Sequence, residues 1–185
     1  MAKRYPEITP RIRRFIGSQQ LFFVATAARD GRVNLSPKGL DTFRLLTPNR
    51  VAWLNLTGSG NETAAHVLDS PRMTIMFCAF EGKPNIVRLF GVPTMVQPDE
   101  EGWDELAGLF PGLPGARQVF VLDIDLVTTS CGFSVPLYEY QGQRDLLTTW
   151  ADKQGPAKLV AYRRLKNTVS LDGLPTGLRQ DEPHD

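Results

Sequence analysis

The residues best suited to chemistry sit in the stretch VAWLNLTGSGNETAAHV, Val51 to Val67. An apolar run stops at Leu56, the small residues Thr57-Gly58-Ser59-Gly60 follow, and a helix-forming run opens at Glu62. Gly58 and Gly60 let a ligand approach the main chain, the first amides of a helix converge on one point, and Ser59, Asn61 and Thr63 add neutral donors. Such a corner can cradle a phosphate. It is not a nucleotide P-loop, because GSGNET lacks the G-x-x-x-x-G-K-[ST] spacing and no G-x-G-x-x-G follows. A purely structural use of the same atoms stays open: Ser59 and Glu62 stand at capping-box spacing, and Ser59 or Asn61 can cap the helix.

Two further pieces carry charge. NLSPKG places Ser36 and Lys38 on one parity of a strand end broken by Pro37 and Gly39. Arg88 lies inside the apolar run NIVRLFG, where an unpaired charge costs several kcal/mol and so calls for an anionic partner, either a ligand or an internal carboxylate such as Asp123. No Ser-His-Asp arrangement is present: His66 falls within the short helix, as a surface or partly packed residue, and His184 in a polar tail. Cys78 and Cys131 are far apart and suggest neither a disulfide framework nor a zinc site, so no metal is expected.

The elements that must hold these residues are mostly strands. ITPRIRRFI reads as a short opening helix, with Thr9 as N-cap and Pro10 at the first helical position. LFFVATAARDGRVNLSPKG reads as a hairpin around Asp30-Gly31. Strands follow near Thr42 to Leu46, at Val51 to Leu56, in RMTIMFCAF after Pro71, and in NIVRLFGVPTMV. DEEGWDELAGLF is a helix inserted before the alternating strand RQVFVLDIDLVTTS, and DLLTTWADKQ and PAKLVAYRRLKN supply two further helices. Hairpin-linked strands with few crossover helices argue against a doubly wound parallel sheet and for an antiparallel barrel with peripheral helices.

The chain of 185 residues suits one domain, spanning residues 1–177, with 178–185 polar enough to be a disordered tail. Its 21 basic and 20 acidic residues nearly cancel, which leaves no field to attract nucleic acid. With no apolar run long enough to span a bilayer and no apolar stretch behind the N-terminal charges, no membrane association and a cytoplasmic location are expected.

In order and spacing, FVATAARDGRVNLSPKG, VAWLNLTGSGNETAAHVLDSPRMTIMF and VRLFGVPTMV resemble the pyridoxamine 5'-phosphate oxidase-like family of split-barrel flavoproteins, over about Phe22 to Leu126. The resemblance implies a mainly β (α+β) fold, a six-stranded antiparallel split barrel with peripheral short helices, and FMN held at the interface of a homodimer. It assigns Ser36, Pro37 and Lys38 to the flavin ring and ribityl chain, and Leu54 and Asn55 to the next flavin-contacting strand. Ser59, Asn61 and Thr63 match the phosphate loop, and Ile86 and Arg88 match positions that reach the flavin of the partner subunit. Asn61-Glu62 stands where the oxidase itself has a basic pair, so the resemblance is to a relative of that enzyme. The implied function is an FMN-dependent oxidoreductase acting on a small-molecule substrate or electron donor. The alternatives are a flavin-binding protein without substrate chemistry of its own, or the same barrel holding deazaflavin or haem.

Overall fold

A computed structural model describes residues 2–179. In chain order the elements are β1 (Lys3–Tyr5), α1 (Pro10–Gly17), β2 (Phe22–Ala27), β3 (Val33–Lys38), β4 (Phe43–Thr47), β5 (Arg50–Leu56), α2 (Glu62–Asp69), β6 (Met73–Cys78), β7 (Ile86–Val96), α3 (Trp103–Ala107), β8 (Ala116–Ser130) and α4 (Leu146–Lys166). These strands join one antiparallel sheet in the order β3-β2-β6-β7-β8-β5-β4, with β1 added alongside β8. The α+β split-barrel reading holds. Among the described residues the sheet has eight strands rather than six. The shortest, β1, shows no alternation of its own and exists because Lys3 to Tyr5 pair with Val127 to Thr129.

The sheet curls until distant strands meet. Phe22 of β2 lies 5.2 Å from Phe43 of β4 and 6.3 Å from Trp53 of β5, centroid to centroid, and Trp53 stacks on Phe120 of β8 at 4.8 Å. These rings, with Val24, Ile75, Leu89 and Leu122, form the main core, which Ile12 and Ile16 of α1 close at one end. The alternation of β8 puts Phe120, Leu122 and Ile124 in this core, as its sequence suggests. Val119 and Val121, on the opposite parity, are buried as well, in a second cluster with Leu54 and Phe110 that Trp103 and Leu106 of α3 help to cover.

Local signals explain most boundaries. Thr9 caps α1 by accepting from the Ile12 amide. Gly91 sits at a bulge where an added Cβ would fall 1.9 Å from the Asp123 carbonyl, so only glycine lets β7 and β8 pass this closely. The two C-terminal helices meet end to end within α4, broken at Gly155, whose φ of 70° and ψ of 168° are not helical. Of the expected polar tail, 180–185 lie outside the described residues, while the Arg179 amide donates to the Gln97 side chain. Among the described residues no helix is long and apolar enough to cross a membrane.

Trp53 is fully buried in the main core. Trp53→Ala should therefore cost about 3–5 kcal/mol of folding stability, read as a lower urea midpoint with an unchanged slope.

Candidate functional site

The register of the first hairpin decides which side chains face inward. Asn34, Ser36 and Lys38 of β3 stand opposite Thr26, Val24 and Phe22 of β2, which are buried inside the barrel, so all three share that inner face. They line a cavity of about 250 Å³, together with Asn55 of β5, the loop Gly58 to Asn61, the start of α2 and Arg117 of β8. Ser36, Lys38, Asn55, Ser59, Asn61 and Thr63 thus come together from three parts of the chain. Pro37 has the outer parity of β3, and Leu54 packs in the second apolar cluster, so neither lines the cavity. Ile86 and Arg88 lie on β7 in register with Cys78 and Met76, also away from it. Arg88 does not pair with Asp123, which forms an ion pair with Arg50 at 2.9 Å. Its Nη1 donates to the Ser130 hydroxyl at 3.2 Å.

The capping box does not form. Asn61 is the N-cap of α2 without a side-chain cap bond, and the Glu62 carboxylate accepts from the Leu171 amide instead. Freed from capping, Asn61 belongs to an amide cluster. Asn55 Nδ2 donates to Gln118 Oε1 at 3.0 Å and to Asn61 Oδ1 at 3.5 Å. Both acceptor oxygens are thereby occupied, and the amide nitrogens of Asn61 and Gln118 are left buried without a partner among the described residues. On the other wall, Asn34 Nδ2 donates to the hydroxyls of Thr26 and Thr63. Thr26 in turn meets His66 Nδ1 at 3.2 Å, so His66 is a buried support behind the site rather than a surface residue.

Arg117 dominates the electrostatics. It is only 2% exposed. Its Nη1 donates to Asn167 Oδ1 at 2.6 Å and to the Gly60 carbonyl at 3.2 Å, while among the described residues its Nε has no partner and no carboxylate pairs with it. Burial, and then the neighbouring Arg163, push its pKa down to about 9. At neutral pH the guanidinium is charged all the same, and a bound anion would relieve the pressure that burial puts on it. Lys38 feels the same field: desolvation and then Arg117 lower its pKa to about 8, and its Nζ lies 5.0 Å above the Trp53 ring. Among the described residues, Glu62 is the one carboxylate lining the cavity. Two cations and the unpartnered amide nitrogen of Asn61 are a donor set that suits a compact anion.

Sequence reasoning missed Arg117, Asn34, Gln118 and Asn167. Arg117 carried a readable signal, since it opens the apolar run QVFVL much as Arg88 interrupts its own strand. Asn167 carried none, because its role is set by contacts with distant segments. It is fully buried after α4, where its Nδ2 donates to the Gly58 carbonyl at 3.0 Å and its main-chain carbonyl accepts from Thr176 at 2.6 Å. Nearby, Arg163 donates from Nε to the Thr57 hydroxyl and from Nη2 to the Ala116 carbonyl, both at 2.8 Å. The C-terminal segment therefore clamps the loop from outside.

Asn167→Ala removes the acceptor that aims Arg117 and the donor that holds Gly58, and should weaken binding of a phosphate monoester such as glycerol phosphate about tenfold, equivalent to ~1.4 kcal/mol. Calorimetric titration reads this directly. The same site implies a pH dependence. A bound anion stabilises protonated Lys38, whereas the free protein loses that proton above about 8. A phosphate monoester is almost fully dianionic by then, so its affinity should start to fall as pH approaches about 8 and steepen towards roughly tenfold per pH unit above it. Lys38→Met should remove the part of that fall that begins near pH 8.

Residues 8–131 match the family described as "Pyridoxamine 5'-phosphate oxidase". The chain is 37% identical over 190 residues to the pyridoxamine 5'-phosphate oxidase family protein ustO of Aspergillus flavus, an alignment covering 92% of this chain and 76% of that protein. Among solved structures, a variant of HupZ from Group A Streptococcus superposes with a TM-score of 0.54 at 19% identity, covering 66% of this chain and 99% of that one. A pyridoxamine 5'-phosphate oxidase candidate from Lactobacillus delbrueckii gives 0.53 at 21% identity, covering 66% and 94%. These two likenesses speak for the fold, and the family match with the 37% relative speaks for descent: the chain belongs to the pyridoxamine 5'-phosphate oxidase family.

Proposed function

We propose that the cavity takes the phosphate and adjoining polyol chain of flavin mononucleotide, and that the protein is a flavin-dependent oxidoreductase acting on a small molecule. The observation that carries this reading is Arg117, buried beside Lys38 with no carboxylate paired to either among the described residues, next to the unpartnered amide nitrogen of Asn61. A phosphate supplies the negative charge and the several acceptor oxygens that this donor set lacks. The hydroxyls of Ser59 and Thr63 and the first amides of α2 would complete its shell. A bound flavin supplies the two-electron redox chemistry, while this chain binds and orients it and keeps positive charge at Lys38. No protein nucleophile is required.

A cavity of about 250 Å³ is below the ~300–1,000 Å³ usual for a whole small-molecule ligand, so it fits one end of the cofactor. The remainder would lie against a second copy of the chain. Support for a homodimer comes from the outer face of the sheet, where Val33, Leu35 and Val92 are more than half exposed and Phe90 and Ile86 half-buried, with Arg88 among them. Arg88 and Ile86 on that outer face are turned away from the cavity of their own chain, and they suit a contribution to the partner's site.

The test is spectral and paired. Purified protein reconstituted with FMN should show bound flavin absorption, and Arg117→Gln should weaken FMN at least tenfold, given ~1.5–3 kcal/mol for a charged hydrogen bond. Riboflavin, which lacks the phosphate, should change little. Equal losses for both flavins, or no flavin binding at all, would overturn the reading, and a haem-type spectrum would replace the tenant. A monomeric mass by light scattering at micromolar concentration would remove the dimer.

A further inference from the structure

A second cavity, of about 650 Å³, lies where the end of α1, the start of β2 and the end of β6 meet the segment 131–145, which forms neither helix nor strand. That segment is pinned as a roof. The Tyr138 amide donates to the Phe80 carbonyl and the Tyr140 amide to the Glu81 carboxylate, each at 2.9 Å. Gln143 then bridges the segment before β2 and the turn after β3: its Nε2 donates to the Gln20 carbonyl at 2.8 Å, and its Oε1 accepts from the Leu40 amide at 2.9 Å. Gly39 has no side chain where that oxygen sits, 2.7 Å from the place of a Cβ. The cavity is thus preformed rather than a gap beneath a loose loop.

Its walls have a definite chemistry. Phe80 and Tyr138 stack at 5.3 Å with planes 21° apart, and Leu21, Cys78 and Tyr140 extend the apolar surface. Tyr138 is 63% exposed, unusual for an aromatic ring with no role in the core. The charged side chains lining the space are Glu81 and Glu139, and no lysine or arginine among the described residues lines it. Its sign is therefore opposite to that of the Lys38–Arg117 cavity.

We infer that this second cavity binds a planar aromatic molecule that is neutral or cationic. The volume lies within the ~300–1,000 Å³ of small-molecule sites, the ring faces offer stacking and cation–π contacts, and two carboxylates disfavour an anion. Phosphorylated aromatics are disfavoured by the same charge. The roof is tied through Gln143 to Leu40, two residues beyond Lys38, so the aromatic site adjoins the strand end that supplies the lysine. On the flavin reading this is where an organic reductant or substrate would stand, but binding there requires no cofactor and goes beyond that reading.

Three shape-matched probes test it at neutral pH by saturation-transfer NMR and fluorescence titration: neutral 2-naphthalenemethanol, cationic 2-naphthylmethylamine and anionic 2-naphthoate. The first two should bind saturably and the naphthoate at least about tenfold more weakly. Tyr138→Ala, at an exposed position that leaves the core intact, should weaken the neutral probe at least fivefold, and Glu81→Gln with Glu139→Gln should narrow the gap between cation and anion. Arg117→Gln should leave all three unchanged, which separates this site from the anion cavity. Absence of saturable binding, equal affinity for the three probes, full binding by Tyr138→Ala, or a loss in Arg117→Gln matching that of FMN would each overturn the inference.

Discussion

A guanidinium buried without a carboxylate is the constraint around which this molecule is arranged. Arg117 sits at the start of β8, with one end of its side chain held by Asn167 and the Gly60 carbonyl and its Nε unsatisfied among the described residues. An uncompensated charge at that depth costs several kcal/mol. The surrounding fold must be stable enough to hold it, and the aromatic cluster of Phe22, Phe43, Trp53 and Phe120 in the curled sheet belongs to the main core that supplies this stability. Burial first, and then this same charge, depress the Lys38 pKa, so an anion would relax both cations together.

The C-terminal segment explains how a loop rich in glycine can serve as a fixed cradle. Residues Thr57 to Glu62 contribute few bonds of their own, yet Arg163, Asn167 and Leu171 each hold one of their polar groups. These contacts come from beyond residue 131, where the match to the family ends. In this chain the loop has an outer support from residues beyond the family match, and Asn55, Gln118 and Asn61 bond to one another from within. On the proposed reading, neutral amides and one deep arginine would stand in for the basic pair that a phosphate loop can carry.

The two cavities differ in sign and in polarity. One gathers cations and amides at the inner face of β3, and the other gathers stacked rings and carboxylates under an irregular roof joined to the same strand end. On the proposed reading, in which an anionic cofactor and an organic reactant meet, that contrast would let each cavity disfavour the other's ligand.

Much of this was legible in the residues. Period-two runs, the Asp30-Gly31 turn and the Thr9-Pro10 start determine strands and helices through local sterics and capping, and Ser36, Lys38, Ser59, Asn61 and Thr63 stand out because small and polar residues interrupt apolar runs. The pairing β5–β8 and the curl that brings β2 onto β5 are long-range, and they alone put Asn55 beside Gln118 and Arg117 beside Lys38. A capping-box pattern from Ser59 to Glu62 was equally visible, yet it lost to a contact with Leu171, far along the chain. Sequence determined which groups can bind an anion, since that is a property of side chains. Only the tertiary structure decided which cation is left without a carboxylate, because pairing depends on neighbours that the fold chooses.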